Sequence, residues 1–225
     1  MKKLLAAIIA AALLLSGCSL SSRPAVSAPP AETPSPSPTP IVTPTPAPEP
    51  SDDELVLVRD YIPGIFIDLK YATTDNFTGQ VIYDSDEAYL RYGTVKKLLA
   101  AQNELSGRGL SLKIWDAYRP VSAQFKLWEI CPNPVYVSDP NNGYSKHSRA
   151  NTVDITLVTD AGESIPMPSG FDDFTSLADR DYSDVSAEAA ENARLLESIM
   201  VENGFVLYSG EWWHYSDSVS YDVYG

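Results

Sequence analysis

The stretch from Ser19 to about Ser51 limits what this chain can fold into more than any other feature. It is built mostly of Pro, Ser, Thr and Ala, with Pro-Ser-Pro and Thr-Pro repeats and almost no large apolar side chains. Such a segment favours extended polyproline backbone and has nothing to bury, so it predicts a spacer. Ahead of it, Lys2 and Lys3 precede an apolar run, Leu4 to Leu15, too short to span a bilayer as a stable helix. Residues 1–17 therefore read as a bacterial export signal, and Leu15-Ser16-Gly17-Cys18 as a lipobox whose Cys becomes a lipidated amino terminus. The alternative is an ordinary signal peptide with an incidental Cys. Acyl chains on Cys18 would anchor the protein at the extracytoplasmic face of the cell membrane without a spanning helix. Residues 18–52 then form a disordered stalk, and whatever folds lies within 53–225, enough for one domain with a full core.

The formal net charge of −14 leaves no basic surface to neutralise phosphates. That argues against a nucleic-acid partner and against charge-driven docking on anionic lipid. Only two cysteines occur. With Cys18 assigned to lipid, Cys131 has no disulfide partner, and its apolar neighbours Ile130 and Pro132 make it a structural thiol.

Within the domain, 54–58 and 65–71 read as short strands around the Pro63-Gly64 turn. Apolar spacing predicts a helix over 87–105, closed by Gly107. A strand is expected over 110–115 and a helix opening at Pro120 and running to about Ile130. Further along, a strand is expected over 152–158 and an amphipathic helix over 186–203, closed by Gly204. Strands over 205–208 and 211–216 complete the set. Strands and helices do not alternate strictly. The predicted fold class is therefore α+β, a single domain with a mainly antiparallel sheet flanked by helices.

The whole chain contains two histidines, His147 and His214. His147 lies in a loop entering a strand, and Asp154 lies on that strand between Val153 and Ile155. A carboxylate in an apolar strand is costly to bury unless it is paired or bound to metal, although alternation also permits a solvent-facing Asp. The second segment is Glu211-Trp212-Trp213-His214. In a regular strand, residues three apart face opposite ways, so Glu211 and His214 share a site only if a bulge or turn near Gly210-Glu211 breaks the alternation. Two imidazoles and one carboxylate are the three protein ligands of an open catalytic zinc, whose fourth position is left for water. Glu211 is the candidate base. Arg119, held extended before Pro120, is the candidate cation for a developing oxyanion; the competing setting is a surface Arg paired with Asp116.

These residues carry a resemblance. Ser145, His147 and Asp154 match the pattern Ser-x-His-x-x-Gly-x-Ala-x-Asp, Glu211 to Tyr215 match Glu-Trp-Trp-His-Tyr, and Tyr118 to Pro120 match Tyr-Arg-Pro. With Tyr71 to Gly79, they make the chain similar to the zinc D-alanyl-D-alanine dipeptidases of the VanX type, from about Leu55 onward. The resemblance implies one Zn2+ per chain on His147, Asp154 and His214, Glu211 as base and Arg119 as stabiliser of the tetrahedral intermediate. It places Ser145 near the substrate, and with it Tyr118. It also implies the small α+β fold shared with the Hedgehog signalling domain. The implied activity is D,D-dipeptidase hydrolysis of D-Ala-D-Ala in cell-wall peptide metabolism. Alternatives are a D,D-carboxypeptidase acting on peptidoglycan stem peptides and a zinc-stabilised binding domain without catalysis. The chain departs from the pattern at Ala150, where it has Gly, at Thr152, where it has Ala, and at Pro166, where the family carries an Asp for the free amino end.

Overall fold

A computed structural model describes residues 48–225. The expected export signal, the expected lipid site at Cys18 and most of the expected stalk lie outside the described residues. Contacts with the rest of the domain begin ahead of residue 53. Asp52 accepts Gly93 N–H at 2.9 Å and pairs with Lys96 at 2.6 Å, and Glu49 accepts the Tyr92 hydroxyl. The residues just before 53 are thus fixed by a helix far along the chain.

The elements in order are β1 (Leu55–Leu57), α1 (Val58–Tyr61), β2 (Phe66–Ile67), β3 (Tyr89–Arg91), α2 (Tyr92–Ser106), β4 (Leu110–Asp116), α3 (Val121–Ile130), β5 (Thr152–Thr159), α4 (Ala187–Glu202), β6 (Phe205–Tyr208) and β7 (Glu211–Asp217). Five strands form one sheet in the order β2-β4-β5-β7-β6. Only the β2–β4 pair is parallel. This is the expected α+β domain. Among the described residues no helix is long and apolar enough to cross a membrane.

Alternation organises the centre of the sheet. Leu112 and Ile114 of β4 stand opposite Leu157 and Ile155 of β5, each at most 1% exposed. They join Leu98 and Leu105 of α2 and Leu196 of α4 in one core. Asp154, between Val153 and Ile155, points to the other face of β5. Helix α4 begins where Ser186 Oγ accepts Ala189 N–H at 3.1 Å, a side-chain N-cap. It is followed by Gly204 at φ 86°, a turn only glycine adopts freely.

Two expected elements come out shorter. The helix foreseen over 87–105 starts at Tyr92, because Tyr89–Arg91 pairs antiparallel with Leu55–Leu57. Arg91 offers no side-chain cap; the first helical donors go to Glu54 O and Asp52 O instead. The strand foreseen over 65–71 pairs only at Phe66–Ile67 and ends in a 3-10 turn over Lys70–Ala72. Cys131, expected to be a buried structural thiol, is half-buried and packed against the core.

Candidate metal centre

Three neighbouring strands place one residue each on a single rung: Asp116 of β4, Asp154 of β5 and His214 of β7. Two irregularities make this possible. The β4–β5 register shifts between Ile114 and Asp116, which brings Asp116 level with Asp154. The β6–β7 register shifts between Leu207, opposite Tyr215, and Tyr208, opposite Glu211. Residues 212–214 therefore have no partner on β6, while His214 keeps its place opposite Asp154 on β5, and Trp212, Trp213, His214 and Tyr215 are all buried in succession. This is the break in alternation that the sequence required. It leaves Glu211 Oε2 3.5 Å from His214 Nδ1.

His147 arrives on a 3-10 turn, Lys146–Arg149. Ser145 Oγ caps the turn by accepting His147 N–H at 3.3 Å. Ala150 closes it at φ 58°, in the left-handed region where the resembled pattern has Gly. An alanine there costs about 1–2 kcal/mol. The strain is held by Ala150 N–H on His147 O and by Arg91 N–H on Ala150 O. His147 Nδ1 lies 2.9 Å from Ala117 O. A carbonyl only accepts, so Nδ1 carries the proton and Nε2 faces Asp154 Oδ2 at 3.2 Å. Asp154 Oδ1 lies 2.9 Å from His214 Nδ1.

One donor atom from each of His147, Asp154 and His214 lies within 4.8 Å of the others, and all three residues are buried. Two imidazole nitrogens and a carboxylate oxygen suit zinc and its neighbours, and three such ligands leave an open coordination position. The residues fit a catalytic metal.

The charges are tightly linked. Burial alone would raise Asp154, but the two imidazoles hold it well below the usual carboxylate range. Burial would lower His147, yet Asp154 and Asp116 prevail and raise it. For His214 burial outweighs its bond to Asp154, and its pKa falls. Glu211 is pushed up to about 8, first by burial and then by the charges of Asp154 and Asp172.

Arg119 is buried rather than on the surface. Its Nε and Nη2 donate to Asp116 Oδ2 at 3.1 and 2.6 Å, and its Nη1 donates to Gln124 Oε1 at 3.0 Å. Asp116 also accepts Tyr83 Oη at 2.5 Å and lies 3.6 Å from His147 Nδ1. Ser145 lines a cavity of about 220 Å³ together with Lys146, Tyr208, Glu211, His214 and Tyr136. Tyr118 does not join them. Its hydroxyl donates to Tyr224 O at 2.9 Å, and its ring lines a different cavity with Tyr83 and Pro120. Neighbours in extended backbone point opposite ways, so an inward Arg119 turns Tyr118 outward.

Two further acids belong to this network. Asp116 ends a strand behind Trp115, and the only hint in the sequence was a possible pairing with Arg119. Asp172 follows Phe171 with φ 53° and accepts Tyr71 Oη at 2.8 Å. It is pushed up to about 7, chiefly by burial; the sequence reading gave it no role. Asp172 and Glu211 keep their protons in the folded chain where an unfolded chain has lost them. The folded state then binds more protons, so stability falls as pH rises from the ordinary carboxylate range to about 8. The raised His147 adds to this trend and the lowered His214 opposes it. Melting temperatures of the metal-free protein are expected to drop across that window, and Glu211→Gln with Asp172→Asn is expected to flatten the profile.

The family model described as D-Ala-D-Ala dipeptidase, peptidase M15, matches residues 51–221. A D-alanyl-D-alanine dipeptidase of Escherichia coli K12 is 40% identical over 162 residues, covering 72% of this chain and 83% of that protein. Proteins of the same name from Enterococcus faecium and Enterococcus faecalis are 36% and 35% identical. Those matches cover 68% and 73% of this chain and 86% and 91% of the relatives. With a matching model over most of the packed unit and a three-ligand centre inside it, the chain belongs to the M15 metallopeptidases of the D-Ala-D-Ala dipeptidase family.

Proposed function

We propose that this protein is a zinc-dependent D,D-dipeptidase that hydrolyses the peptide bond of D-Ala-D-Ala in cell-wall peptide metabolism. The observation that carries this reading is the convergence of His147, Asp154 and His214 within 4.8 Å, with the Glu211 carboxyl 3.5 Å from His214. His147 Nε2, Asp154 and His214 Nδ1 would hold one zinc. A zinc there supplies Lewis acidity and positive charge, which polarise the scissile carbonyl and lower the pKa of nearby water and of Glu211.

The protein's own groups do the rest. Glu211 takes a proton from the attacking water and returns it to the leaving amine. Arg119 has three of its N–H groups engaged. A guanidinium has five, so two remain for the oxyanion. Asp116 fixes the guanidinium plane and, through its place beside His147 Nδ1, favours the imidazole orientation that aims Nε2 inward. Ser145 Oγ accepts from the turn, which leaves its O–H free for substrate.

Amino-terminal residues 1–17 serve as the export signal and Cys18 as the lipid anchor. The stalk holds the enzyme off the extracytoplasmic face, where wall peptides occur.

Release of D-Ala from D-Ala-D-Ala and from a stem pentapeptide tests the reading. Hydrolysis of the dipeptide is expected, abolished by a chelator and restored by zinc. Pro166, which stands where the resembled family has an acid for the free ammonium, favours a second reading. Cleavage of the pentapeptide alone would make the enzyme a D,D-carboxypeptidase. Cleavage of neither, with metal retained, would leave a binding domain.

A further inference from the structure

The substrate classes proposed above share one group, a free carboxylate on the terminal D-Ala, one residue beyond the bond to be cut. The walls around the metal centre are acidic: Asp154, Asp116, Asp172 and Glu211. A carboxylate entering there needs a cation. Arg119 is committed to Asp116 through both Nε and Nη2. Lys146 is not committed. It is exposed and lines the same cavity as Glu211 and His214. Lys70, Lys96 and Lys97 are each paired with an Asp. Among the described residues no carboxylate pairs with Lys146; its ammonium stands 5.9 Å from the Tyr208 ring, which in turn packs on His214 at 5.6 Å. Its place, on the rim of the cavity that Glu211 and His214 line, sets it apart from the other cations.

Its backbone is fixed. Lys146 is the first residue of the turn that delivers His147, held by the Ser145 cap on one side and left-handed Ala150 on the other. The turn therefore holds Lys146 at the rim of the cavity that Ser145, Glu211 and His214 also line. Resting on the peptidase reading, we infer that Lys146 is a specificity residue that binds the substrate's terminal carboxylate through Nζ, with Ser145 Oγ donating to the same group. The enzyme then reads a free carboxyl terminus and rejects peptides that are amidated or extended beyond the terminal D-Ala.

The test measures binding apart from turnover. Zinc-loaded Glu211→Gln protein is titrated by calorimetry with D-Ala-D-Ala and with its carboxy-terminal amide, with Lys146 present and in the Lys146→Met form. Loss of one charge-assisted contact is expected to weaken dipeptide binding at least ~10-fold. Amide binding is expected to be weak already and unchanged by Lys146→Met, and Lys146→Arg is expected to recover most of the dipeptide affinity. In the active enzyme, Lys146→Met should raise KM more than it lowers kcat. Equal effects on dipeptide and amide, or no effect on either, would overturn the assignment, as would failure of the dipeptide to bind at all. Lys146-dependent binding without hydrolysis by the unmutated enzyme would sink the peptidase reading and leave this one standing. Hydrolysis with an unchanged KM in Lys146→Met would do the reverse.

Discussion

Replacing Glu211 with Ala is expected to cut turnover of D-Ala-D-Ala by at least ~100-fold while one metal ion per chain stays bound. The carboxyl lies 3.5 Å from His214 Nδ1 yet outside the set of three ligands. Its loss leaves the donor atoms where they are. It also removes a group that burial and two like charges already disfavour as an anion, so the fold should not suffer. Glu211→Gln is the closer steric control and should behave the same way, since an amide cannot accept the proton. Metal analysis beside steady-state kinetics decides the matter. Retained turnover would remove Glu211 from the role of base, and joint loss of metal and activity would make it a ligand instead.

Asp154→Ala should act differently, abolishing stoichiometric metal binding and activity together. Asp154 is the hub of the centre: one oxygen meets His147 Nε2 at 3.2 Å and the other meets His214 Nδ1 at 2.9 Å. Without it the two imidazoles face each other across a gap with no anion between them. The metal-free protein should also lose about 3–5 kcal/mol, the usual cost of stripping one partner from a buried charged pair. That loss should be greatest at low pH, where His147 is charged, and smaller once it is neutral. Thermal unfolding with and without zinc at two pH values separates the terms. If the variant keeps its metal, the ligand assignment is wrong.

The sequence made parts of this molecule legible and hid others for identifiable reasons. Helix α4 was readable because Ser186, the spacing of Ala189, Ala193, Leu196 and Met200, and Gly204 all mark one helix. Strand β3 was hidden because Leu90 fits either period and the start of α2 is capped by backbone from residues 52 and 54. At the site, residue types alone pointed to His147, Asp154, His214 and Glu211. The bulge that unites Glu211 with His214 was a stated requirement, but its existence depends on how β6 and β7 pair. Tyr118 was misplaced because its neighbour Arg119 takes the inward side. Asp172 was missed because a left-handed backbone and a distant tyrosine give it its setting.

The ligands differ in how firmly the fold grips them. Asp154 and His214 are rungs of adjacent interior strands, and drawing them apart means tearing the sheet, an opening that approaches global unfolding. His147 rides on four residues of 3-10 turn ended by a strained alanine. Fluctuations that breach such a protein run through its weakest cooperative unit. Capture and escape of the ion should therefore proceed by that turn swinging as a door, with the two sheet ligands as its fixed frame. Exchange of the ion would then be far faster than unfolding.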